Sequence, residues 1–274
     1  MPWLWVIVLG LIGSVIFNYG AFFLWSARGA VLPLLLLVAG AAVTEQRSLA
    51  VGLISGGALW AGAVFIALIQ WQRPVVVLRR QVWWPMVVSV VALLAVVGTA
   101  FNGRVSCLES WAVLVLGVIG YAVSPRTGER VAWWRWLIGL ALCVGGGTLI
   151  VWAMPTVQAS VGLSPMVAGT LLSPVCLIST TVGLWRQRTK TPAVILTNAV
   201  GSMVTGLITV GWGLLGVISG GWTVGATTLG LTLPCLALVL AVGAVPLFWR
   251  QKTTRAGGVL LLVIYVGYLL LLWL

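Results

Sequence analysis

The sequence predicts an all-α integral membrane protein of about ten transmembrane helices, built as two inverted five-helix repeats. Three observations carry the prediction: a composition too apolar for a soluble domain, a lopsided division of basic residues between alternate loops, and motifs that recur about 145 residues apart.

Composition sets the class. Hydrophobic residues make up 61% of the 274, charged residues only 7%, and mean hydropathy is +1.17, whereas soluble domains carry a charged share near 25%. There is no His, and the three acidic residues are Glu45, Glu109 and Glu129. General acid–base catalysis and hard-cation sites draw on such groups, so the chain reads as no enzyme and no cofactor is expected. Cys107, Cys143, Cys176 and Cys235 stand singly, with no His to complete a zinc set. The net charge of +12 is scattered through short loops without a basic–aromatic module, which argues against nucleic acid. The first apolar segment is too long for the core of a signal peptide and lacks a basic leader, so it is expected to stay in the mature chain.

Ten apolar segments can be drawn, roughly 3–24, 29–43, 49–70, 83–101, 109–123, 134–154, 162–185, 192–218, 223–249 and 257–274. A helix rises about 1.5 Å per residue and the hydrocarbon core is about 30 Å thick, so the second and fifth segments are short and the others span it. Loops on one side then hold Arg28; Arg73, Arg79 and Arg80; Arg126, Arg130 and Arg135; Arg186, Arg188 and Lys190; and Arg250, Lys252 and Arg255. The other side holds Arg47 and Arg104. A split of thirteen against two is what the positive-inside rule demands of a correct count, since one missed helix would exchange the sides of every later loop. Both termini are therefore expected on the non-cytoplasmic side of the cell membrane. Trp3, Trp5, Trp83, Trp84, Trp133, Trp134, Trp249 and Trp273 lie near segment ends, where interfacial belts form.

The halves repeat. Gly52–Gly57 (GLISGG) stands 145 residues before Thr197–Ser202 (TNAVGS), and Ala112 to Tyr121 stands 147 before Val259 to Tyr268. Five helices is an odd number, so the two halves must enter the membrane in opposite directions, as in many secondary transporters. The expected boundaries are 1–125 for the first repeat, 126–133 for a cytoplasmic linker and 134–274 for the second repeat.

The polar residues of the membrane segments gather between Gly162 and Ile218. Ser173, Cys176 and Thr180 share one helical face, and Asn198, Ser202, Thr205 and Thr209 share another. Pro174 removes a backbone donor, and with Gly169 close by the first of these helices is expected to bend or break at membrane depth. Hydroxyls on membrane helices commonly serve only to pack helices together; broken helices with polar faces also build transport sites.

The order of these residues resembles the second repeat of the cation/calcium exchanger superfamily, the sodium/calcium and proton/calcium antiporters. There a G-(L/I)-S opening leads through a Gly to G-T-S-L-P-E, then to G-N-x-x-G-S-N. Gly162-Leu163-Ser164-Pro165 and Gly169 match the opening, and Thr197 to Met203 matches the closing motif except at its ends. Counting from Gly169 places Cys176 to Thr181 at G-T-S-L-P-E, so that Thr181 replaces the ion-binding Glu and Met203 the last Asn. In the first half, Leu49 to Ala61, Arg73-Pro74, Asn102-Gly103-Arg104 and Leu108-Glu109 follow the family's third to fifth helices. Gly29 to Leu34 is either a worn G-T-S-L-P-E with Leu34 for the Glu, or Pro33 pairs with Pro165 and the acidic half of the motif is deleted. Neither alignment restores a carboxylate, and Gly57 and Ala58 offer no ligand.

The resemblance implies a secondary transporter of the cation-antiporter type, with membrane lipid around it and a small cation (sodium, calcium, potassium or a proton) as partner. The missing carboxylates imply altered or lost calcium specificity; a transport-inactive scaffold or regulator is the alternative. The expected pathway is Ser173, Cys176, Thr180, Thr181, Asn198, Ser202 and Thr205.

Overall fold

The computed structural model describes residues 2–24, 31–72, 76, 79–123, 133–187, 200–250 and 252–273. Among them run α1 (Pro2–Phe23), α2 (Leu32–Val43), α3 (Arg47–Leu59, continued by Trp60–Phe65 and Ile66–Gln72), α4 (Arg79–Ala100), α5 (Cys107–Val123) and α6 (Trp133–Val161). The second half holds α7 (Pro165–Cys176), α8 (Ile178–Gln187), α9 (Val200–Thr205, then Gly206–Gly211 and Trp212–Ile218), α10 (Thr228–Thr232 and Leu233–Arg250) and α11 (Arg255–Trp273). With α7 and α8 as one broken span, the ten expected segments are present among the described residues. Five spans are long, apolar helices, and five more are apolar over shorter stretches.

The helix directions agree with that count. Gly10, Gly13 and Gly20 of α1 meet Ala153, Gly146 and Gly139 of α6 in descending order, so the first and sixth spans run antiparallel. Gly52 and Gly56 of α3 meet Met166 and Thr170 of α7 in ascending order, so the third and seventh spans run parallel. An odd and an even span must oppose each other; two odd spans must not.

The inverted repeat is visible in features that sequence identity does not show. The middle turns of α3 and α9 are both π-helical, beginning at Trp60 and Gly206, 146 positions apart. Strand β1 (Arg104–Val105) pairs antiparallel with β2 (Trp222–Thr223), setting Val105 opposite Trp222. Val76 makes an isolated antiparallel bridge to Lys252. Trp222 lies 146 residues after Val76, and Lys252 lies 147 after Val105, so exchanging the halves turns one bridge into the other. Each half thus lends one strand to either bridge.

The seams between helices are glycine-rich because, in lipid, close backbone approach and dispersion take over from the hydrophobic effect. The outer surface is apolar: Trp5, Trp133 and Trp249 are 72%, 75% and 80% exposed. Trp3, Trp83, Trp134 and Trp273 are exposed as well, which suits aromatic belts. Ser106 caps α5: Glu109 accepts from the Ser106 N–H at 2.7 Å and the Ser106 hydroxyl at 2.8 Å, while the Glu109 N–H donates back to Ser106 Oγ at 3.2 Å. Such a cap contributes about 1 kcal/mol.

One segment runs longer than its sequence suggests. The sixth span was expected to end at 154, before Pro155, but α6 continues to Val161 with Pro155 inside it. Proline cannot donate to the carbonyl four residues back, which is that of Val151, and Gln46 fills the gap by donating from Nε2 to Val151 O at 3.2 Å. Gly162, at φ 72°, ends the helix.

Candidate functional site

Four spans converge on the centre: the second, third, seventh and eighth. The tightest meeting is the parallel crossing of α3 and α7. A side chain at Gly52 would strike the Met166 carbonyl and come within 3.0 Å of Thr170 N; one at Gly56 would come within 2.7 Å of Thr170 O; one at Gly169 would strike the Leu49 carbonyl. Gly169, expected to help break its helix, is instead half of this crossing. Thr170, fully buried, donates to Met166 O at 2.9 Å and reaches Gly52 O across the seam at 3.4 Å.

The break in the seventh span falls at Leu177, three residues beyond Pro174. Leu177 leaves the helical region at φ −96°, ψ 3°, ending α7, and α8 begins at Ile178. Two backbone carbonyls freed here, those of Thr170 and Val175, are already occupied. Pro174 cannot serve Thr170 O, and Ser173 Oγ donates to it at 2.9 Å. Val175 O accepts from Asn18 Nδ2 of α1 at 3.0 Å, and the Ser179 N–H donates to Asn18 Oδ1 at 3.3 Å.

The expected pathway residues divide into three groups. Ser173, Cys176 and Thr180 do share a face, and all three are buried at 0%, 0% and 1% exposure. Thr180 Oγ1 and the neighbouring Ser179 Oγ are buried without a hydrogen-bond partner. Thr181 turns toward α3: its hydroxyl donates to Leu177 O at 2.7 Å and accepts from Trp60 Nε1 at 3.4 Å. Thr205 turns toward α4, its hydroxyl 2.9 Å from that of Ser89. Thr209 donates to Thr205 O at 2.7 Å and packs on Gly117 of α5. Ser202 lies in α9, and Asn198 lies outside the described residues.

Between these hydroxyls the centre is apolar. A side chain at Gly57 would collide with Leu34 of α2 and lie 3.2 Å from Leu207 Cδ1 of α9 and 3.8 Å from Leu177 Cδ1 at the break. Leu34, Leu177 and Leu207 are each at most 1% exposed. One residue from each converging span therefore closes the axis. The first-repeat neighbours Leu53 and Ala58 are buried and equally without oxygen.

A model of the sodium/calcium exchanger protein family matches residues 131–274. The chain belongs to the sodium/calcium exchanger family. Members of this family are secondary transporters and not enzymes. The exchanger fold extends over both halves: the crystal structure of the H+/Ca2+ exchanger CAX is 13% identical, with a TM-score of 0.78 over 97% of this chain and 82% of that one. The native structure of YfkE gives 0.74 at 13% identity, covering 97% of this chain and 91% of that one. The sodium-calcium exchanger NCX_Mj soaked with 100 mM Na+ and 10 mM Sr2+ gives 0.58 at 18%, covering 97% and 96%. No curated protein matches significantly in sequence.

Within this exchanger scaffold the two described carboxylates stay at the margins. Glu45 sits in the exposed α2–α3 turn at φ 60°, and Glu109 is engaged in the exposed cap of α5. Glu129 lies outside the described residues.

Two residues at this centre, the buried Thr170 and the half-buried Asn18, carry no signal in the periodic polar pattern. Thr170 follows a glycine and reads as packing. Asn18 is the single amide of a largely apolar first helix, and a lone Asn in such a helix was the signal available to find it.

Proposed function

We propose that the protein is a secondary transporter of the exchanger type whose site has lost calcium and takes a monovalent cation or a small neutral solute. Its pathway is lopsided, built from the second repeat around the α7–α8 break, with Ser173, Cys176, Thr180, Thr181, Asn198, Ser202 and Thr205 as the candidate lining. The observation that carries this reading is the centre itself: no described carboxylate, an apolar closure to which the first repeat brings only Leu34 and Gly57, and unpartnered Ser179 and Thr180 hydroxyls in the second repeat. A calcium ion wants six to eight oxygens, several of them charged. Neutral hydroxyls and amides suit a weaker, less charged solute.

The test is flux into proteoliposomes under gradients of sodium, potassium, calcium or protons, with empty vesicles as control. Uptake of a monovalent ion or proton against an opposing gradient is the expected result. Silence under every gradient would favour the second reading, a transport-inactive scaffold, to which the apolar closure of the axis also lends support.

The same reading includes the orientation and the repeat limits 1–125 and 134–274, joined by 126–133. With both termini non-cytoplasmic, a cysteine at Val76 is expected to react with an impermeant maleimide only from the cytoplasm. A cysteine at Phe101, 81% exposed at the other end of α4, should react only from outside. The reverse pattern would invert the topology. Arg188, in the basic loop between the seventh and eighth spans, lies outside the described residues.

A further inference from the structure

In an unbroken helix the Ser179 N–H would donate to the carbonyl four residues back, which is Val175 O. Here the carboxamide of Asn18 stands in that one rung: its Oδ1 accepts from Ser179 N at 3.3 Å and its Nδ2 donates to Val175 O at 3.0 Å. The same Nδ2 also donates to Ser14 O at 3.0 Å within α1, which fixes the amide orientation. A side chain inserted into the hydrogen-bond ladder is a recognised cause of a kink. Bare backbone groups at membrane depth are tolerated only when some other group satisfies them.

We infer that Asn18 is a positioning residue that holds the α7–α8 break open and makes its geometry depend on where α1 stands. The groups at stake are close by. Leu177, at the break, contributes to the apolar centre, and Ser179 and Thr180 directly after it carry the unpartnered hydroxyls. When the amide is in place, the rung is split and Leu177 is non-helical. When it is withdrawn, Val175 O and the Ser179 N–H are left facing each other, and in a medium without water their best available partner is each other. The seventh span then has two hydrogen-bonded arrangements, one with the inserted amide and one continuous. Pro174 is compatible with both, because its missing donor concerns Thr170 O, which Ser173 serves. The device goes beyond the transport reading and stands or falls without it.

Solid-state NMR of the full chain in bilayers tests it. In the unaltered protein, a through-space signal between Asn18 Nδ2 and the Val175 carbonyl carbon is expected, and its absence would overturn the inference. In Asn18→Leu, the Leu177 Cα shift should move into the helical range while the signals of Gly52 and Gly169, at the α3–α7 crossing, stay in place. An unchanged Leu177 shift would mean that the chain breaks there unaided, and Asn18 would be reduced to packing. If Asn18→Leu disturbs the glycine signals as well, Asn18→Asp, read at alkaline pH where the carboxyl is ionised, decides: the carboxylate keeps the acceptor for Ser179 and removes the donor to Val175. The Val175 carbonyl shift should then move and the Ser179 amide should not; movement of both or of neither sinks the proposal. Flux is read separately, so loss of the transport reading would leave these signals untouched.

Discussion

Gly52→Ala is expected to lower stability by about 3 kcal/mol or more, at the upper end of what overpacking costs. The added methyl would meet the Met166 carbonyl and lie 3.0 Å from Thr170 N. Both obstacles are backbone, so no rotamer change relieves the clash. Either α3 and α7 separate along the whole crossing, or the methyl is not accommodated. Thermal unfolding in detergent, followed by loss of the monodisperse peak, measures the effect. Gly98→Ala is the control, because nothing lies within 4 Å of a methyl there, and removing a helical glycine should even stabilise by about 0.5–1 kcal/mol. Equal tolerance of the two substitutions would show that the crossing is not the tight seam described.

Purified protein is expected to give no sodium-driven calcium uptake above empty vesicles. The resemblance implies a Glu from each repeat, and the proposed alignment puts Thr181 in one of these places and, in the first repeat, Leu34 or nothing in the other. Two unit charges 4 Å apart attract by about 4 kcal/mol at an effective dielectric near 20, and a divalent ion loses about twice that with each absent carboxylate. Desolvation of the ion is then left uncompensated. Thr181→Glu alone should not restore exchange. Its side chain would start from a position turned toward Trp60, and Leu34 would still close the opposite side. Robust calcium uptake by the unaltered protein would refute the reading of the centre.

The ten spans were legible because hydropathy and loop charge are summed over many residues, and neighbouring errors cancel. The repeat was legible for the same reason, through matches at Gly52 to Gly57 and Thr197 to Ser202. The centre was less so. Pro174 signalled a disturbance, but the break lies at Leu177 because an amide 157 residues away in sequence completes it, and no local pattern contains that partner. A 3.6-residue period placed Thr209 in line with Asn198. The π-helical stretch that begins at Gly206 ends that period one residue after Thr205. Thr205 itself was read from its own helix alone, whereas its partner, Ser89, comes from α4.

Pro155 and Gln46 illustrate a constraint on how the sequence can drift. The carbonyl of Val151 is served by Gln46 because Pro155 cannot serve it. Losing the glutamine while the proline remains strands an acceptor. Replacing the proline returns a backbone donor to the same carbonyl and makes the glutamine redundant. The cost of either change thus depends on which came first, as for residues that share one partner. Across descendants of this chain, position 46 should be free to vary only in lineages that have already given up proline at 155.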